Sequence, residues 1–106
     1  MGNPQAGEVE ITIDGARHRC KLTLGAMAEL EAAVGADSLV DLVQRFENGR
    51  FTSRDVMALV VAGLRGGGWQ GDASDLVSAD IAGGAVGAAQ AAAMLLVRAF
   101  SPPAPR

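Results

Sequence analysis

Apolar and polar residues alternate along Glu8–Leu24, in the stretch EVEITIDGARHRCKLTL. Val9, Ile11 and Ile13 alternate with Glu8, Glu10 and Thr12. His18, Cys20, Leu22 and Leu24 then alternate with Arg17, Arg19, Lys21 and Thr23. A period of two is that of a strand with one face buried. Asp14-Gly15 between the runs is a strong two-residue hairpin signal, because the favoured turn needs positive φ at both positions. Such a turn sets Ile13 opposite Ala16, Ile11 opposite His18 and Val9 opposite Cys20. The other face then pairs Thr12 with Arg17, Glu10 with Arg19 and Glu8 with Lys21. One face is apolar and the other carries opposite-charge pairs, so two independent patterns predict the same hairpin.

After Thr23 the apolar period lengthens to that of a helix. Met27, Leu30, Ala33 and Val34 share a face, with Gly35 placed to cap the C-terminus. Leu39, Leu42, Val43 and Phe46 form a second stripe, opened by Asp37 or Ser38 and stopped at Gly49. Thr52 or Ser53 caps a third helix, whose Asp55 sits near the positive end of the helix dipole. Its stripe is Val56, Leu59, Val60, Gly63 and Leu64. Met57 and Val61 widen that stripe beyond what one core face needs. Asp72 or Ser74 opens a short helix, and a last helix runs from about Val86 to Phe100, before the prolines of SPPAPR. The predicted fold is α+β: an N-terminal antiparallel β-hairpin followed by a small bundle of four or five helices. Residues 8–100 form a single domain, between a flexible N-terminus at 1–7 and a disordered Pro-rich tail at 101–106.

Composition narrows the chemistry. The 106 residues are 49% hydrophobic but only 4% aromatic, so the core is built from aliphatic side chains. The net charge of −3 and the scattered arginines argue against nucleic acid as a partner. Cys20 is the lone cysteine, so no internal disulfide and no Cys/His zinc cluster is expected, and a reducing cytoplasm fits. The start MGNPQAGEVE lacks the regions of a signal peptide and the Ser/Thr of a myristoylation site. Ile81–Val97 is free of charge, but it is mostly Gly and Ala with Gln90 at its centre, so packing on other helices is expected rather than a membrane span.

Catalytic constellations are missing. His18 lies on the core side of the hairpin with no orienting partner, and Cys20 behaves as a small apolar residue. Glu29 and Glu31 do not share a helix face. Asp72, Asp75 and Asp80 lack the glycine turn and terminal Glu of a calcium loop, which leaves helix capping. The stretch RGGGWQGD, Arg65–Asp72, invites a phosphate-loop reading. It fails because the glycines follow a helix rather than a strand and no lysine is present. The expected structure is a helix C-cap running into a flexible connector. Trp69 is then either a lid folded on the helices or a partner contact, tryptophan being enriched at binding hot spots. The chain reads as a non-enzyme without cofactor or metal, and the candidate protein-binding residues are Trp69, Met57, Val61 and Leu64.

Three stretches together resemble the gene transfer agent family of small phage-tail proteins. They are the strand-Asp-Gly-strand start, the L-T-L-G-A-x-A-E-L-E run at Leu22–Glu31, and G-L-R-G-G-G at Gly63–Gly68, followed by an Ala-rich last helix. The resemblance covers about Gly7 to Phe100. Members are encoded in phage-like tail clusters of α-proteobacteria and related prophages, and are described both as tail tube proteins and as tail assembly chaperones. The resemblance implies a chaperone that acts in the bacterial cytoplasm, with the tape-measure protein and the tail-tube protein as partners. A homo-oligomer formed through two exposed hairpin edges is a further expectation. Two alternatives remain open: a structural tail component retained in the particle, and a small-molecule or nucleotide-binding regulator built on the glycine loop.

Overall fold

The hairpin takes the register its side chains dictate. In the computed structural model, β1 (Glu8–Ile13) and β2 (Ala16–Lys21) pair antiparallel, from Ile13 opposite Ala16 to Glu8 opposite Lys21. Asp14 and Gly15 have φ of 50° and 83°, the left-handed values the turn requires. Ile11, Ile13 and Cys20 are buried and His18 is half-buried. The strand ends earlier than the alternation predicts. Leu24 matches the apolar face by pattern, yet it is 85% exposed as the first residue of α1 (Leu24–Val34). Thr23 turns the chain: its Oγ1 accepts the Ala26 N–H at 3.1 Å and its carbonyl accepts the Met27 N–H at 2.8 Å.

The structure describes residues 8–34 and 39–100. The expectations for 1–7, for the tail at 101–106, and for Gly35, Asp37 and Ser38 as caps lie outside these residues. Four more helices follow α1: α2 (Leu39–Glu47), α3 (Ser53–Gly66), α4 (Ala73–Leu76) and α5 (Gly84–Phe100). Thr52 caps α3 in a capping box. Its hydroxyl accepts the Asp55 N–H at 3.1 Å while Asp55 Oδ2 accepts the Thr52 N–H at 2.9 Å. Asp72 and Asp75 repeat this device at α4. The fold is therefore α+β, a hairpin followed by five helices.

Helix α3 is the centre of the packing and touches α1, β2, α5 and α4. Leu59, Val60, Ala62, Gly63 and Leu64 are buried on it, joined by Leu30 of α1, Leu42 of α2, and Leu95 and Leu96 of α5. Asp55 is the one buried charged residue among the described residues, at 2% exposure. It is satisfied by the cap and by Arg45 of α2, whose Nη1 donates to Asp55 Oδ1 at 3.0 Å. Arg45 also reaches Asp41 at 3.1 Å. Phe46 and Phe51 stack at 4.4 Å between ring centres, so a charge pair and a ring pair hold α2 against the start of α3.

The helix C-cap forms at Gly67 as expected, but Gly66 and Gly67 are a packing seam rather than the start of a flexible connector. With Ile13 and Ala16 closing the turn, the backbone groups of Arg17, Arg19 and Lys21 point away from β1 along the outer edge of β2. Gly66 lies against the Lys21 carbonyl and Gly67 against the Arg19 carbonyl, so closely that a Cβ on either would strike the oxygen. Only α-hydrogens fit between the helix end and the strand. One turn earlier, a Cβ at Gly63 would meet Leu95 Cδ1 at 2.7 Å and Cys20 Cβ at 3.1 Å. Gly68, with φ of 107°, then breaks the helix, and the Trp69 N–H returns to the Leu64 carbonyl at 2.9 Å.

The far edge of the hairpin is also engaged. The Ala82 N–H donates to the Thr12 carbonyl at 3.0 Å and the Asp14 N–H donates to the Asp80 carbonyl at 2.8 Å, making Ile81 a bridge partner of Ile13. Asp14 Oδ1 accepts the Asp80 N–H at 2.9 Å. The two exposed edges expected of the hairpin are thus covered, one by glycines and the other, at its turn end, by the segment before α5.

Gly66→Ala is expected to destabilise the fold by more than about 2 kcal/mol, because a carbonyl rather than a movable side chain opposes the new methyl. A Cβ at Gly25 would meet only Thr23 Oγ1, at an ordinary contact distance of 4.0 Å, so Gly25→Ala is expected to gain about 0.5–1 kcal/mol through helix propensity and a less flexible unfolded chain. Urea unfolding of the two variants checks both signs. Asp55→Asn is expected to cost about 1–2 kcal/mol, from the weakened cap and from the loss of the carboxylate's charge beside the half-exposed Arg45 guanidinium. The cost should shrink in an Arg45→Ala background, which a double-mutant cycle measures.

Candidate functional site

The widened stripe of α3 faces an open groove. Arg54, Met57, Ala58, Val61 and Arg65 recur at three- and four-residue steps and line it from α3, while Leu30 and Ala33 line it from α1 and Ala73 from α4. Its volume is about 340 Å³. The hollow exists because Ala33, Ala58, Ala62 and Ala73 are small where longer side chains would have closed it. Met57 and Val61 are half-buried on its wall. The Ala-rich last helix does not cover this groove; it packs on the other side of α3, where Leu95 meets Gly63.

Charges mark the ends. Arg54 and Arg65 lie at opposite ends of the α3 wall, about 16 Å apart at 1.5 Å per residue. Arg65 Nε donates to Glu29 Oε1 at 2.9 Å, and Nη1 donates to the Gly71 carbonyl at 3.0 Å. The hydrogen bond to Glu29, then its charge, hold the Arg65 pKa above the ordinary arginine value. At the same end the Asp72 carboxylate is held below its ordinary range, first by the Ser74 hydroxyl and then by the Ser74 N–H. This end therefore stays charged across the neutral range.

The four sequence candidates separate. Met57 and Val61 share the groove. Trp69 is half-buried against the core, with its ring folded over Gly71, where a Cβ would strike the indole carbons. It lines a neighbouring hollow of about 400 Å³ with Thr23, Ala26 and Gln70, across the Glu29–Arg65 pair from Met57. Leu64 is fully buried and belongs to the core, so it offers no contact surface in this state. Its place in the stripe was legible, but Gly63 beside it lets Cys20 and Leu95 approach that side of α3 and close it off.

Sequence reasoning missed Leu30, Ala33, Arg54 and Ala73, because a groove between helices has no single-helix signature. It also missed the outer face of α5, where Val86, Val97 and Phe100 are exposed. Their helical spacing with Ala93, in steps of seven, four and three residues, was readable, but the alanines around it drew attention to packing alone. No group of three or more His, Cys, Asp or Glu that could hold a metal occurs among the described residues. No helix among them is long and apolar enough to cross a membrane.

A sequence model of the family described as phage tail tube protein, GTA-gp10, matches residues 6–102. The chain belongs to this family. It is a phage-tail protein of the gene transfer agent type, related by that description to the tail tube. The resemblance carried by the hairpin start, the Leu22–Glu31 run and the Gly63–Gly68 turn therefore holds over nearly the whole chain. No curated protein and no solved structure matches it significantly.

Burial pushes the Cys20 thiol up to about 12, because the apolar surroundings disfavour the thiolate. Cys20 is expected to stay unmodified by Ellman's reagent at pH 8 in the native protein and to react fully in denaturant. A labelling rate that equals the unfolding rate is the expected native behaviour.

Proposed function

We propose that the protein is a tail assembly chaperone that works in the bacterial cytoplasm during particle assembly and binds the tape-measure protein through the groove between α1, α3 and α4. The observation that carries this reading is the groove itself. It is an apolar trough about three helical turns long, with adaptable Met57 on its wall and charges at both ends. That geometry fits an amphipathic client helix laid along it, the mode in which apolar anchors recur every three or four residues. A chaperone needs such a surface to shield apolar client segments before they assemble.

The sheet supports the same reading. A tube wall is built from many strands that continue from subunit to subunit, whereas this domain has two strands and a bridge among its described residues. The outer edge of β2 meets glycines rather than a neighbouring strand. The family description favours a second reading, a tube or tube-end component retained in the particle. The two differ in where the protein ends up.

Co-expression with the tape-measure protein of the same gene cluster is expected to keep that client soluble and to give a complex on affinity purification. Met57→Glu and Val61→Glu should abolish the complex and leave the thermal midpoint within a few degrees, because both side chains are only half-buried. Leu64→Ala should instead lower the midpoint sharply, as for any core truncation of about 2–5 kcal/mol. A client that stays insoluble, together with a stoichiometric band of this protein in purified particles, would establish the structural reading instead.

A further inference from the structure

The glycine cover of β2 ends at Arg19. Gly66 and Gly67 press on the strand, but a Cβ added at Gly68 would meet nothing within 4 Å. Past the seam the chain parts from the strand. A hollow of about 350 Å³ opens there, lined by Arg17, His18, Arg19, Gly67, Gly68 and Trp69. The half-buried Trp69 also lines the neighbouring hollow, so it stands between the two.

Backbone groups of both kinds are open on the strand side. The N–H and the carbonyl of Arg17 point away from β1, and neither has a hydrogen-bond partner among the described residues. The glycine side offers no donor. The Gly67 N–H turns back to the Gly63 and Leu64 carbonyls at 3.0 Å, the Gly68 N–H to the Arg65 carbonyl at 3.1 Å, and the Trp69 N–H to that of Leu64. A phosphate is above all an acceptor, so it would answer the Arg17 N–H and leave the carbonyl unanswered. An extended peptide carries a donor and an acceptor on each residue and answers both.

Charge specifies the side chains of that peptide. Arg17 and Arg19 are exposed and two residues apart, so they leave the same face of β2 about 7 Å from each other. Glu10 stands opposite Arg19 in the ladder, yet no ion pair joins them, and Arg17 stands opposite the uncharged Thr12. The ion pairs among the described residues use Arg45 and Arg65 instead. Alternate side chains of an added strand repeat at the same ~7 Å, so carboxylates two residues apart match the two guanidiniums.

We propose that the hollow at the turn end of β2 binds an extended acidic segment of a partner protein. The segment adds a short strand beside Arg17, sets alternate carboxylates on Arg17 and Arg19, and packs against Trp69. Main-chain hydrogen bonds then supply affinity and the arginines supply specificity, as in strand addition at an open sheet edge. Arginine and tryptophan are also the residue types enriched where binding energy concentrates. The hollow shares no lining residue with the groove of α1, α3 and α4, so this site does not rest on the chaperone reading.

Fluorescence titration of the full chain with a short peptide of alternating glutamate and threonine tests it. Binding should weaken steeply with added salt and should shift the emission of Trp69, the single tryptophan, to the blue. The same peptide with glutamine for glutamate should bind about tenfold more weakly or worse. So should the glutamate peptide to a chain carrying Arg17→Gln and Arg19→Gln, with an unchanged circular dichroism spectrum. N-methylation throughout the peptide keeps its carboxylates but removes its N–H donors, and should abolish binding. Met57→Glu should change nothing. No binding of the glutamate peptide, equal binding of the glutamine peptide or by the double variant, or binding without an emission shift would overturn the proposal. Undiminished binding of the N-methylated peptide, or its displacement by inorganic phosphate at matched ionic strength, would overturn strand addition and leave a simple anion site. Displacement by a single-stranded oligonucleotide, with phosphate inactive, would overturn the peptide as ligand in favour of nucleic acid.

Discussion

The fold depends on a contact without side chains, the meeting of the last turn of α3 with the outer carbonyls of β2. Helix and strand approach until only hydrogen atoms separate them at Gly66 and Gly67. That closeness sets how deeply α3 sinks onto the hairpin, and so where Cys20, Leu64 and Leu95 meet in the core. It also fixes the rotation of α3. With Gly63 and Gly66 turned toward the hairpin and α5, Arg54, Met57 and Val61 must look outward between α1 and α4. The candidate groove is the reverse side of the glycine seam.

The remaining attachments are layered on that seam. The Asp55 carboxylate serves two donors at once, the Thr52 N–H in its own cap and a guanidinium from α2. A buried carboxylate is tolerable only when it is hydrogen-bonded, and here its partners also position α2 against α3. Arg65 does similar work on the surface, linking α1 through Glu29 with the loop at Gly71.

Local physics explains what was legible in the sequence. The hairpin register followed from alternation and the Asp14-Gly15 turn because each is a short-range constraint, and all six predicted pairs form. The caps at Thr52 and Asp72 followed for the same reason. The errors lie where distant segments meet. A run of three glycines reads as freedom in sequence; against a β-strand edge the first two are the only residues small enough to fit, and the third is there for its positive φ. Leu24 matched a strand pattern but lost to the Thr23 cap one residue before it. The candidate site was half legible. Met57 and Val61 announced a surplus of apolar surface, whereas their neighbours from α1 and α4 and the true depth of Leu64 depend on how the helices cross.

The pairing of Asp14 with Asp80 carries a consequence for how the protein is made. The hairpin turn is synthesised early, yet its hydrogen bonds to the chain wait for a segment 66 residues later. As the polypeptide leaves the ribosome, β1 and β2 emerge first with both edges open, and neither is sealed until α3 and then Ala82 have followed. Folding of so small a domain is thus completed only after Ala82 has been made, and contacts distant in sequence set its rate. During that interval the nascent chain presents free strand edges of its own, and a protein proposed to shelter others passes through a stage in which it needs shelter itself.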